Sequence, residues 1–266
     1  MPYERDMETD KHITRSFADR LLCLALDVGE GMLKSGAEIH RVEESIRRIC
    51  ISYGAVHVEV FVITSLIVAS VRLQNEEYSV QMRRVYNSSN HLLKIEEFNG
   101  VSRKICAETP PLDEFEKLMR ETKAKTQYPR ILHVLGGILA ASAFTVVFGG
   151  SLWDAAVAAV MGLIVVLGDL VHLKNINPTA KCVLTSFICG MLTCVLVRFG
   201  IGHNEHKIMI GTIMLLIPGL AFGNSLRDML DGDIIAGIFR LIQSCLTAVM
   251  IAVGFGLAIF VSGVLL

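Results

Sequence analysis

The stretch Leu215-Leu-Ile-Pro-Gly-Leu-Ala-Phe-Gly-Asn-Ser-Leu-Arg-Asp-Met-Leu-Asp231 joins an apolar segment to a polar one. Its pair Pro218-Gly219 removes a backbone donor inside an apolar helix and loosens that helix. Backbone groups freed in this way are tolerated within a membrane only where protein or a polar cavity surrounds them. Broken helices often form the substrate sites of secondary transporters, although a simple packing kink explains the pair equally well.

Three polar residues follow the break within three helical turns. Asn224 and Asp228 are four residues apart and share one helix face, and Arg227 lies beside them. We expect a substrate to enter near the Pro218-Gly219 break, Arg227 to hold its carboxylate, and Asn224 and Asp228 to bind its polar remainder. The simpler interpretation is a cytoplasmic helix end, where Arg227 follows the positive-inside rule.

Outward from this stretch, the second half of the chain is too poor in charge for an ordinary soluble domain. Residues 129–266 hold 7 Lys/Arg and 6 Asp/Glu, against 18 and 20 in residues 1–128. A membrane-spanning helix needs about 20 mostly apolar residues. The sequence therefore predicts a transmembrane helical domain over 129–266 with about five spans: Ile131–Phe148, Trp153–Leu173, Cys182–Val197, the interrupted Ile208–Phe222, and Phe239–Val264.

The distribution of Lys and Arg around these spans predicts their orientation. Seven cationic residues flank the spans on the side of the N-terminal half and two on the other side. Residues 1–20 are charged rather than apolar, so no signal peptide is expected. We expect a multi-pass protein of the plasma (inner) membrane, with its N-terminal domain in the cytoplasm.

Residues 1–128 have the periodicities of an α+β domain. Apolar residues recur at helical spacing in two segments, alternate with polar residues in the next segments, and return to helical spacing before residue 128. The predicted elements are helices over 14–34 and 39–54, three strands between 56 and 85, and helices over 88–107 and 111–125. The charged residues of the second helix are interpreted as a solvated face: Arg41, Glu43, Glu44, Arg47 and Arg48. The fold class is thus an α+β cytoplasmic N-terminal domain followed by an all-α membrane domain.

Two aspartates lie in or near the apolar spans. A carboxylate in this position usually faces a cavity, a partner charge or a proton path. Asp154 follows Trp153, where a helix cap at the membrane interface is the simpler role. Asp169 lies three residues before His172 and can also reach the headgroups. We assign the coupling proton of a transporter to Asp154 or Asp169.

The composition and the missing motifs exclude several classes of protein. A net charge of −1 argues against nucleic-acid binding. No GxxxxGK[ST], GxGxxG, HExxH or GxSxG is present. We therefore expect no catalytic residue, no metal and no cofactor, and do not expect an enzyme. The rival from another class is a membrane-anchored regulatory or scaffolding protein whose cytoplasmic domain binds a ligand or partner.

Three sequence elements resemble one known family. The stretch Gly31-Met-Leu-Lys-Ser-Gly-Ala-Glu-Ile-His-Arg-Val-Glu-Glu-Ser-Ile46 is similar to the start of the bacterial threonine/serine exporter family. Trp153-Asp154 and the broken-helix stretch resemble its membrane motifs, in the same order. The residues that match are Gly36, Ala37 and Glu38 of the N-terminal motif, Asp154, and Pro218, Gly219, Asn224 and Asp228 of the broken helix.

The resemblance implies a secondary exporter of threonine and serine, or of a dicarboxylate such as succinate. Single-chain members of the family have about twice the spans found here, so this chain is similar to the larger component of a split exporter. A small all-helical membrane subunit is then the implied partner, and the sequence leaves homo-oligomer formation open. Helix capping is the expected role of Glu38.

Overall fold

Residues 16–75, 77–86, 89–125, 128–170 and 177–265 are described by the computed structural model. They divide into two compact units. The first contains the described residues up to Lys125 together with Asn224–Phe239, and the second contains those up to Gly223 together with Arg240 onward. The sequence-based boundary at residue 128 assigned 224–239 to the membrane domain. Hydropathy could not reveal that Ala236 packs into the core of the first unit.

The first unit has the predicted α+β composition. Its sheet is a meander of three antiparallel strands in the order β1-β2-β3, within the described part of the chain. The elements are α1 (Phe17–Lys34), α2 (Ile39–Ser52), β1 (Ala55–Ile63), β2 (Leu66–Leu73), β3 (Tyr78–Arg84), α3 (Leu92–Glu108) and α4 (Leu112–Ala124). The predicted start of the first helix at residue 14 and the predicted start of the third at residue 88 lie outside the described residues.

The core of the first unit forms around α1. Ser16 begins this helix by accepting a hydrogen bond from the Asp19 amide at 3.2 Å. Helix α1 packs against α2, β2, β3, α3 and α4. The sheet shows the alternation expected of a half-buried strand, since Ile67, Ala69 and Val71 of β2 are buried on one face. The apolar faces of the helices, which repeat every 3.6 residues, and those of the strands, which repeat every two, therefore pack in one core.

The second unit contains most of the apolar helices. They are α5 (Arg130–Val147), α6 (Leu152–Leu170), α7 (Pro178–Arg198), α8 (Glu205–Leu216), and parts of α9 (Gly219–Leu230) and α10 (Ile234–Leu265). Within the described ranges, four helices are long and apolar enough to cross a membrane. A fifth span results if α8 and α9, bent by 51° at their break, count as one.

These helices overlap the predicted spans and differ from them at several ends. The predicted interruption at Pro218-Gly219 is confirmed, because α8 ends at Leu216 and α9 begins at Gly219. Helix α8 begins earlier than predicted, at Glu205, because Asn204 caps it by accepting from the Lys207 amide at 3.3 Å. Helix α10 also begins earlier, at Ile234, and the predicted end of the second span, Leu173, lies outside the described residues.

Small residues allow the helices of the second unit to approach closely. Helix α5 packs against α6 and α8. A Cβ atom added to Gly162 of α6 would lie 2.6 Å from the carbonyl oxygen of Gly137 in α5. Similar small residues occur at many membrane helix interfaces, where apolar burial alone supplies little driving force between helices.

Two glycines of α10, two residues apart, give a matched test of this packing. A Cβ atom at Gly254 would lie 2.5 Å from the Ser186 Cβ and 2.7 Å from the Val183 carbonyl oxygen, whereas nothing lies within 4 Å of one at Gly256. We expect Gly254→Ala to destabilise the protein by about 1–3 kcal/mol, because α7 must shift. Gly256→Ala should leave the stability unchanged or raise it by up to about 1 kcal/mol through helix propensity.

The measurement is thermal unfolding of both variants in detergent. Equal midpoints for the two variants would contradict the close contact between α7 and α10.

Candidate functional site

The turn between α1 and α2 carries the N-terminal motif Gly36, Ala37 and Glu38. The backbone of Gly36 has a φ of +89°, a conformation that favours glycine. A Cβ atom there would also lie 2.6 Å from the Asn90 side-chain oxygen. The backbone conformation therefore favours glycine at position 36, and a larger residue would also have to displace the Asn90 side chain.

Three predicted site residues of α9 contact this turn. The Asn224 side-chain amide donates to the Gly36 carbonyl oxygen at 3.1 Å. The Arg227 guanidinium forms an ion pair and hydrogen bond with the Glu38 carboxylate. The Asp228 carboxylate accepts from the Ile39 amide at 3.1 Å, across 189 residues of sequence. The fold therefore brings together two motifs that the sequence shows only as separate stretches.

Asp228 supplies the cap of α2. The first amides of a helix have no partner within it, and its N-terminus carries partial positive charge. The Asp228 side chain is 1% exposed and meets this end of the helix at Ile39. A buried carboxylate is thus placed where helix amides and the helix dipole stabilise its negative charge.

The expectation that Glu38 caps α2 is wrong. Glu38 occupies the N-cap position, but its side chain accepts no capping hydrogen bond. It pairs instead with Arg227 and, at 3.4 Å, with Arg41. The Glu38 side chain is 14% exposed and that of Arg227 60% exposed, so the pair lies at the edge of the first unit. Arg227 thus binds a carboxylate of the chain itself, and its predicted contact with a substrate carboxylate stays a prediction.

A second group of titratable residues near α2 was missed by the sequence analysis. Burial raises the pKa of Glu43, and the charge of Asp233 raises it further, while an amide hydrogen bond from Val62 at 2.9 Å lowers it. Burial also raises the pKa of Asp233, and His40 lowers it. The interpretation of Glu43 as part of a solvated face is therefore wrong. The feature of the sequence that could have indicated this group is the Asp231-Gly-Asp233 turn, which directly precedes α10.

Asp154 lies in the second unit and fixes a loop. Its carboxylate accepts four hydrogen bonds: from the amide and hydroxyl of Ser151, both at 2.8 Å, and from the amides of His203 and Asn204, at 2.6 and 3.0 Å. The side chain is 1% exposed. Asp154 therefore stabilises the start of α6, the simpler role expected for it, and also ties that helix to the loop before α8.

The remaining predicted residues lie in different surroundings. The Asp169 carboxylate, near the end of α6, is 69% exposed and pairs with Lys181 of α7 at 3.5 Å. Pro218 and Gly219 lie at the break between α8 and α9, where the Phe222 amide bonds to the Pro218 carbonyl oxygen at 3.0 Å. Among the described residues, no group of three or more His, Cys, Asp or Glu side chains is arranged to hold a metal ion.

Comparison with known families agrees with the positions of these motifs. The model of the ThrE family, described as a threonine/serine exporter, matches residues 23–262. The chain belongs to the threonine/serine exporter family. The matched residues include the N-terminal motif of the turn, the broken-helix motif at α9, and Asp154. It also covers every apolar helix of the second unit, so the protein is embedded in a membrane.

Curated members of the family fall into two sizes. The chain is 23% identical to "Threonine/serine exporter" of Corynebacterium glutamicum over 91% of its own length, but spans only 51% of that relative. It is 25% identical to "Probable succinate transporter subunit YjjP" of Klebsiella aerogenes, over 97% of this chain and 98% of the relative. The protein of the same name from Escherichia coli K12 is 24% identical over 90% and 94%. No solved structure matches the chain.

The two aspartates of α6 should respond differently to the same substitution. Asp154→Asn replaces one acceptor oxygen by a donor that faces other donors, so we expect a loss of about 1–3 kcal/mol in stability. Asp169→Asn removes an exposed ion pair, whose contribution is about 0–1 kcal/mol. Thermal unfolding of both variants in detergent measures the difference. A larger loss for Asp169→Asn would contradict the described hydrogen bonds of Asp154.

The raised pKa values of Glu43 and Asp233 predict a pH dependence of stability. Because the folded state binds these protons more tightly than the unfolded chain, the two groups favour folding at low pH. Their contribution is complete below the ordinary values of 4.5 and 3.8 and is lost as the pH rises through the raised pKa values.

Glu43→Gln should therefore reduce the loss of stability with rising pH across this window, measured by thermal unfolding at a series of pH values. Glu44→Gln, on the more exposed face of the same helix, is the matched control. Parallel pH profiles for the wild type and Glu43→Gln would show that Glu43 does not contribute.

Proposed function

We propose that this chain is the larger component of a secondary exporter of small polar metabolites. The observation that carries the proposal is the contact between the N-terminal turn at 36–39 and Asn224, Arg227 and Asp228 of α9. It links the N-terminal domain to a helix that follows a break in an apolar segment. A break of this kind is where secondary transporters commonly bind their substrates.

The proposed substrate site uses the ion pair of Arg227 with Glu38. A substrate carboxylate can replace Glu38 at the guanidinium because both groups make the same charge-assisted hydrogen bonds. Asn224 and Asp228 then offer an amide and a carboxylate to the polar remainder of the substrate. Exchange at Arg227 would also release Glu38 from α9, so substrate binding would loosen the contact between α9 and the N-terminal turn.

Export against a gradient requires coupling, and we propose that the proton gradient supplies it. Asp169 is the better of the two proposed proton carriers, because its carboxylate is 69% exposed and can exchange a proton with water. The four donors around Asp154 stabilise its anion and give it a structural task. Glu43 and Asp233 are further candidates, because burial already favours their protonated forms.

The proposed partner is a small all-helical membrane subunit. The chain spans about half of the Corynebacterium exporter but nearly all of the relatives named as transporter subunits. A second component would supply the spans that this chain lacks relative to the longer protein. Residues 224–239 belong to the same unit as the N-terminal domain, which supports placing both on the cytoplasmic side of the plasma membrane.

The same contacts favour one rival function. Each of Asn224, Arg227 and Asp228 contacts a residue of the N-terminal turn, as it would in a membrane-anchored regulatory protein with a firmly attached domain. The two functions differ in what Arg227 must do. In an exporter it must exchange one carboxylate for another, whereas in an anchor it must only keep Glu38.

Efflux of labelled threonine, serine and succinate from loaded cells tests the proposal. The chain is expressed with and without its partner, before and after collapse of the proton gradient. We expect efflux only with both chains and an intact gradient. Loss of efflux by about tenfold or more is expected for Arg227→Gln, because a charge-assisted bond to the substrate is removed.

Two further variants separate a substrate-binding role of Arg227 from a purely structural one. Glu38→Gln should preserve efflux, since it frees Arg227 for substrate, while Arg41→Gln controls for loss of charge at the turn. The exchange of Glu38→Arg with Arg227→Glu rebuilds the ion pair in reverse. Efflux restored by this exchange would assign the pair a purely structural role and remove Arg227 from the proposed substrate site.

A further inference from the structure

A cavity of about 590 Å³ lies at one end of the second unit, and none of its lining residues belongs to the proposed substrate site. It is formed by the end of α7, the loop and first residues of α8, and the end of α10. Its volume is within the range of about 300–1,000 Å³ that is typical of small-molecule sites. Cys194, Val197 and Ile259 give it an apolar part, and the remaining lining is polar.

Two opposite charges line this cavity. Arg198 is the last residue of α7, and Glu205 is the first residue of α8. The cavity also contains hydrogen-bonding groups of Asn204 and Ser262, and the imidazoles of His203 and His206. One cation, one anion and neutral polar groups around a partly apolar space are complementary to a small zwitterion.

The polar wall is held in place by groups outside the cavity. The amides of His203 and Asn204 both donate to the buried Asp154 carboxylate. The Ser151 hydroxyl lies 3.3 Å from the Nδ1 atom of His203, and Lys207 donates to the Gly149 carbonyl oxygen. The loop is therefore anchored to the start of α6, and Asp154 acts as a positioning residue for this wall.

We propose that this cavity binds the zwitterion of a small α-amino acid, with Arg198 on the carboxylate and Glu205 on the ammonium group. The proposal rests on the proposed exporter function and narrows its substrate class. A dicarboxylate would bring its second negative charge toward Glu205, which disfavours it. Asn204 or Ser262 can bond a side-chain hydroxyl, and the apolar part can accept a methyl group.

Under the proposed orientation, this end of the second unit faces the outside of the cell. The ends of α7 and α10 and the start of α8 meet there, together with the turn between α5 and α6. The cavity would then hold the amino acid after it has crossed the membrane and before release.

Binding to the purified full chain in detergent tests the assignment, with affinity measured by calorimetry or by thermal stabilisation. The probes are L-threonine, N-acetyl-L-threonine without the ammonium group, L-threoninamide without the carboxylate, and succinate. We expect L-threonine to bind about tenfold or more tightly than each of the others, because each lacks one charge-assisted contact or adds a repulsion.

Two substitutions assign the contacts. Glu205→Gln should weaken the binding of L-threonine by about tenfold and leave the affinity for N-acetyl-L-threonine unchanged. Arg198→Gln should weaken the binding of L-threonine by about the same factor and leave the affinity for L-threoninamide unchanged. Arg130→Gln, at the first residue of α5 and outside the cavity lining, is the matched control and should change none of the affinities. Both substituted side chains lie at the open end of the helices, and the thermal midpoint of each free variant verifies folding.

Several outcomes overturn the assignment. It fails if no probe binds, if succinate binds as tightly as L-threonine, or if Glu205→Gln and Arg198→Gln leave L-threonine affinity unchanged. Efflux separates this site from the exporter function. If threonine efflux persists at the wild-type rate in both variants, the assignment of the cavity is overturned and the exporter function is retained. If L-threonine binds specifically but the wild-type chain and its partner show no efflux, the exporter function is overturned and the assignment of the cavity is retained.

Discussion

The hydrogen bond from the Ile39 amide to the buried Asp228 carboxylate is the constraint on which the first unit depends. It caps the start of α2. The capping residue lies 189 positions further along the chain, after all of the apolar helices except α10. The first amide of α2 therefore receives this cap only when Asp228 has joined the N-terminal residues. The N-terminal domain is therefore completed by a segment of the membrane half, and Asn224 and Arg227 extend the same attachment to Gly36 and Glu38.

Both units use a buried aspartate in a similar way. Asp228 binds the first amide of a helix, and Asp154 binds the amides of a loop and of the residue before its own helix. In an apolar environment a carboxylate is costly unless several donors surround it. The hydrogen-bond partners thus give both residues a structural task, which for Asp228 adds to its proposed contact with the substrate.

Much of the fold follows from local sequence patterns, but the site does not. Apolar periodicity and hydropathy predicted the elements of the α+β domain, the apolar helices and the break at Pro218-Gly219, because each depends on neighbours in sequence. The pairing of 36–39 with 224–228 depends on tertiary contacts, which no spacing within either motif encodes. Glu38 shows this limit most clearly: its position at a helix start predicted a cap, and only the proximity of Arg227 explains why its side chain turns elsewhere. Glu43 was taken as solvated because charged neighbours surround it in sequence, whereas the edge of β1 supplies its partner, the Val62 amide.

The two proposed binding sites share one arrangement of charge. In the first unit Arg227 is balanced by Glu38, and in the second Arg198 shares a cavity with Glu205. A zwitterion can satisfy such a pair on its own, carboxylate to arginine and ammonium to glutamate, and leaves no net charge to be buried. A dicarboxylate satisfies the arginine but leaves a second anion beside the glutamate, at a cost that grows as water is excluded. The second half of the chain has few charges with which to offset that cost, since residues 129–266 hold only 7 Lys/Arg against 6 Asp/Glu. If both proposed sites bind substrate, this arrangement of charge favours an amino-acid zwitterion over a dicarboxylate, although the relatives of similar length are named for succinate.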